Sequence, residues 1–176
     1  MIMPSGQPLL LPANRVFIWF SLVAALLLDM LLNMGLWGRS AWVPDVLAVV
    51  LVFWSVHQPL RVGVGTGFFF GLAMDVHQGA LLGQHALAYT VLAYLAVFIH
   101  RRLLWFTVPT QALQLLPLFA GMHLLVLLVR MMTGSSFPGA SLALAPVIEA
   151  LLWPVVSVLL LAPQRRAPDP DDNRPL

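Results

Sequence analysis

The chain has 176 residues, of which 60% are hydrophobic and 9% charged, and its mean hydropathy is +0.90. A water-soluble domain carries about 25% charged residues to solvate its surface, so a cytoplasmic enzyme, a disordered chain and a secreted disulfide scaffold are all poor fits. The absence of cysteine removes disulfides and thiolate chemistry, and a net charge of +2 carried by scattered arginines is no nucleic-acid footprint.

The composition predicts an all-α integral membrane protein. Met1 to Arg15, with Pro4, Pro8 and Pro12, reads as a short extended tail. The first apolar run, Val16 to Gly38, lacks the basic flank and cleavage site of a signal peptide and is expected to be a retained span. Further runs follow at Trp42 to His57, Val62 to Val76, Ala80 to Ile99, Val108 to Val129 and Leu142 to Ala162. Pro163 to Leu176, rich in Pro, Asp and Arg, is expected to be disordered. A hydrocarbon core about 30 Å thick needs roughly 20 helical residues; the second and third runs fall short of that. Continuous apolarity excludes barrel strands, which alternate between lipid and lumen. Pro117, Pro146 and Pro154 are expected to kink their helices without breaking them.

Six spans place Arg15, Arg61, Arg101, Arg102, Arg165, Arg166 and Arg174 on one side and only Arg39 and Arg130 on the other. The positive-inside bias then predicts a six-helix bundle with both termini cytoplasmic.

Acids inside spans are costly, about 2.5–3.5 kcal/mol for Asp at a helix centre. Asp29, Asp45, Asp75 and Glu149 all fall toward the outer leaflet in this topology, with Asn33, His85, Arg39 and Arg130 at the same level. This outer polar cluster is expected either to meet a ligand, a proton or a partner protein, or to cap helices and pair internally. Asp45, directly after Pro44, has the position of an ordinary helix start. His123, alone on an apolar run, is expected to be a packed, hydrogen-bonded histidine. Gly63, Gly67 and Gly71 recur at every fourth position and lead to Asp75, giving one helix face where another backbone can approach closely. That face suits either packing within this bundle or a partner's helix, with Asp75 and Asp45 at its outer mouth. No zinc-protease, nucleophile-elbow or phosphate-loop motif is present, so no catalytic, cofactor or metal site is expected.

The ordered series Val43-Pro44-Asp45, Val52-Phe53-Trp54, Pro59-Leu60-Arg61 through Gly67, Gly71-Leu72-Ala73-Met74-Asp75, Gly79 through Gly83, Ala86 through Tyr89 and Leu151-Leu152-Trp153-Pro154 resembles the rod shape-determining MreD family. The resemblance implies a non-enzymatic inner-membrane subunit of the bacterial elongation machinery, acting with MreC, MreB, RodZ, RodA and its penicillin-binding transpeptidase in lateral peptidoglycan insertion. It leaves a runner-up, because such chains are similar in outline to six-helix substrate-binding subunits of vitamin transporters, which hold a small molecule in an outward pocket.

Overall fold

The computed structural model describes residues 13–36, 42–134 and 137–164. Arg39, the first twelve residues and the tail beyond Gln164, with Arg165, Arg166 and Arg174, lie outside the described residues. Within them the chain is helical throughout: α1 (Arg15–Leu31), α2 (Val46–His57), α3 (Val64–Gln78), α4 (Gln84–Leu103), α5 (Val108–Met132) and α6 (Leu144–Leu161).

Each boundary has a local cause. Asn14 starts α1 by accepting a hydrogen bond from the Val16 amide at 3.0 Å, and α1 runs on into a π-helical turn, Leu32–Leu36. The second apolar run is helical only from Val46, because Asp45 is held extended as the N-cap. Gly79 ends α3 in the left-handed region at φ 59°, and Gly83 precedes α4 at φ 104°. These two glycines turn the chain over residues 79–83. Helix α4 therefore begins at Gln84, later than the apolar run from Ala80. α5 and α6 continue through Pro117 and Pro154. Pro146 falls in the first turn of α6, where a missing N–H removes no helical bond, so the kink expected there has no cause.

Four stretches are long and apolar enough to cross a membrane: Arg15–Met34, Gln84–Leu103, Val108–Met132 and Ala140–Gln164. α2, at 12 residues, rises only about 18 Å, less than a core of about 30 Å, and relies on its flanking residues to complete a crossing. It sits at the centre of the bundle. Every residue from Leu47 to Val56 is buried, and α2 packs on α1, α4 and α6. A helix apolar all round is what this position demands.

Two of the largest core side chains, Phe53 and Trp54, belong to α2. Phe53 meets Trp54 edge-on at 5.0 Å between ring centroids, stacks on His57 at 4.1 Å and lies 6.0 Å from Trp153 of α6. Each indole N–H finds an acceptor on another helix. Trp54 donates to Ser21 Oγ at 2.7 Å, and Trp153 donates to Gln111 Oε1 at 3.1 Å. On the exterior, Phe20, Phe69, Phe98, Leu113 and Leu151 are each at least 70% exposed. Water would not tolerate that apolar surface on a monomer; lipid does.

Candidate functional site

Asp29, Asp45, Asp75 and Glu149 converge at one end of the bundle, here termed the acid end, and each accepts hydrogen bonds there. Asp29, fully buried on α1, accepts the Val46 amide on Oδ1 at 3.0 Å and the Leu47 amide on Oδ2 at 2.6 Å. These are orphan donors in the first turn of α2. Asp45 caps the same helix from within, accepting the Ala48 amide at 2.8 Å, while its other oxygen accepts the Tyr89 hydroxyl of α4. The Asp45 amide in turn donates to Glu149 Oε1 of α6 at 2.9 Å. His123 of α5 meets the same oxygen through Nε2 at 2.7 Å. The start of α2 is thus held by side chains from α1, α4 and α6, with α5 bracing α6.

Asp75 does for α4 what Asp29 does for α2. Its carboxyl group accepts the amides of Gly83 at 2.9 Å, His85 at 2.8 Å and Ala86 at 3.3 Å. It also pairs with His85 Nδ1 at 2.8 Å. The His85 ring lies 6.1 Å from Tyr89 in an edge-on arrangement, so the Asp75 and Asp45 groups adjoin along one face of α4.

The glycine period serves this contact. A Cβ on Gly67 would sit 2.6 Å from the Tyr89 carbonyl oxygen, and one on Gly71 only 2.4 Å from Ala86 Cα. Backbone meets backbone there, and Asp75 one turn on caps the helix that the glycines admit. Gly63 stands apart, as a Cβ there would meet only Pro59 O at an ordinary 3.7 Å. The face read as a possible seat for a partner's helix is therefore taken at Gly67 and Gly71 by the chain's own α4. The physical reason is the close approach that glycine permits.

The other expected members divide. Asn33 donates to the Asp29 backbone carbonyl at 2.9 Å, not to its carboxyl group, and so supports the α1 terminus. Arg130 is exposed at the end of α5 and takes no part in the network. Arg39 lies outside the described residues. His123 is packed and hydrogen-bonded. The sequence reading missed Tyr89, which shares a helix face with His85 four residues before it; that spacing was the available signal. No group of three or more His, Asp or Glu side chains among the described residues is arranged to hold a metal ion.

Chemically, this network satisfies N–H groups at buried helix starts. One atom does not fit that account: Glu149 Oε2 is buried with no hydrogen-bond partner.

The family model described as rod shape-determining protein MreD matches residues 12–162. The rod shape-determining protein MreD of Haemophilus influenzae is 29% identical over 154 residues, covering 84% of this chain and 93% of that protein. No solved structure matches the chain.

Proposed function

The chain belongs to the rod shape-determining MreD family, and from that premise we propose that it is a non-enzymatic scaffold of the bacterial elongation machinery. In this reading it sits in the inner membrane, crosses it six times with both termini cytoplasmic, and helps position peptidoglycan synthesis through contacts with MreC. MreB, RodZ, RodA and the elongation transpeptidase act in the same assembly, directly or through MreC.

Alternating helix direction supports the crossing pattern. Arg61 Nη1 donates to the Ala13 carbonyl at 2.6 Å, so the start of α1 and the α2–α3 connection share one end. Asp29 binds the start of α2 at the other end. Arg61, Arg101 and Arg102 then stand at the same end of the bundle, opposite the acids, as the positive-inside rule requires of a cytoplasmic face. The observation that carries the scaffold reading is the employment of the polar groups. Asp29, Asp45 and Asp75 bind helix termini of their own chain, which builds a rigid body. Since α4 fills the face of Gly67 and Gly71, a partner helix meets the bundle on its lipid-facing exterior.

The test is to express the chain in a rod-shaped host deprived of its own family member. Restored rods, with MreC recovered alongside the purified chain, are the expected result. Round cells despite normal membrane levels of the protein would overturn the reading.

A further inference from the structure

Between α4 and α5 the bundle leaves an apolar groove of about 240 Å³, lined among others by Ala88, Val91 and Leu95 of α4 and by Pro117, Leu118 and Gly121 of α5. Small side chains make it. Ala88 and Gly121 leave room at the floor and rim, and a Cβ added to Gly121 would touch nothing within 4 Å. Pro117 and Gly121 are exposed, so the groove opens to the surrounding lipid. It exceeds the roughly 150 Å³ that suffices for a benzene-sized guest in an apolar cavity. An apolar groove open along its side between two helices suits a hydrocarbon chain.

The register of α4 supplies the charge. Ala88, Val91 and Leu95 occupy one helix face, and Arg102, seven residues beyond Leu95, continues that face about 10 Å further toward the arginine end. Arg101 falls on a different face. Arg102 is exposed, and the acids Asp29, Asp45, Asp75 and Glu149 are all committed at the opposite end. Trp105, 89% exposed in the following loop, has the position of an interfacial anchor at headgroup level. The adjoining first turn of α5 has no side-chain cap, since the Thr107 and Thr110 hydroxyls bond each other at 3.0 Å. Its positive end adds to the field that favours an anion.

We propose that the α4–α5 groove seats one acyl chain of an anionic phospholipid whose headgroup phosphate pairs with Arg102. The proposal requires that the arginine end lie at a membrane surface, and it is independent of which partners the scaffold holds.

Native mass spectrometry of the full chain in mild detergent, with phosphatidylglycerol and phosphatidylcholine as added probes, tests it. The wild type is expected to retain phosphatidylglycerol in preference to phosphatidylcholine. Arg102→Gln should weaken that retention about fivefold, the worth of one arginine near an anionic lipid surface. Gly121→Leu, whose Cβ would meet nothing within 4 Å, adds a bulky apolar group at the groove and should reduce retention of both lipids. Arg101→Gln should behave as wild type. Equal retention by the wild type, Arg102→Gln and Gly121→Leu would overturn the proposal. So would equal losses from Arg101→Gln and Arg102→Gln, which would mark unspecific surface charge. Because lipid is weighed on the purified chain, failure here leaves the rod-shape experiment untouched.

Discussion

Buried and exposed helix starts solve one problem in opposite ways. At the acid end, α2 and α4 begin at buried residues: Leu47 is fully enclosed, and Gln84 and His85 are nearly so. Water cannot reach their orphan amides, and each unsatisfied group in an apolar medium costs several kcal/mol. Carboxyl groups of neighbouring helices supply the acceptors. At the arginine end, α3 and α5 begin at exposed or half-exposed positions, and neither Gly63 nor Thr107 provides a side-chain cap. Their exposure leaves those amides open to the surroundings. The acids at the first end are structural because they bind helix starts, whereas Arg101 and Arg102 at the second are exposed.

The sharpest way to break this contrast is Asp75→Ala. It strips the acceptor from the amides of Gly83, His85 and Ala86 and from the His85 ring. A loss of about 3–5 kcal/mol follows from leaving such buried groups unpaired. Thermal unfolding of the detergent-purified protein should show a large fall in midpoint. A midpoint within a degree or two of wild type would mean that the start of α4 does not depend on this carboxyl group.

Gly71→Ala tests the backbone approach that brings Asp75 to its site. The added Cβ, 2.4 Å from Ala86 Cα, forces α3 and α4 apart, for which overpacking costs of about 1–3 kcal/mol are ordinary. Gly65→Ala is the internal comparison. It has open space and should be neutral or raise the midpoint, since alanine exceeds glycine in helix propensity by about 1 kcal/mol. Shifts of the same sign and size in both variants would remove the close contact from the account.

Much of this was legible in the sequence, and the reasons are physical. An acid in an apolar run is conspicuous because lipid penalises it, so Asp29, Asp45, Asp75 and Glu149 stood out without any structure. Glycine at every fourth position likewise announces a close approach. The partners were not legible. That Asp29 reaches across to Val46 and Leu47, or Glu149 to the Asp45 amide, depends on how helices are placed, and sequence distance is silent on that. The glycine face illustrates the same limit, as its spacing is identical whether it receives α4 or a foreign helix. α2 shows a second limit. Its apolar run extends back to Trp42, yet Pro44 and the extended Asp45 shorten the helix to twelve residues and let it sit enclosed in the middle of the bundle. Tyr89 was overlooked because one hydroxyl on an apolar helix carries no charge to betray it.

The central claim is that the acid end is built for the chain itself and not for a partner. The most direct test is the thermal midpoint of Asp29→Asn, measured on the purified chain with no other subunit present. An amide places a donor against the Val46 or Leu47 N–H and loses one acceptor, so a decrease of about 1–3 kcal/mol is predicted. An unchanged midpoint would contradict the claim and return these acids to a docking surface.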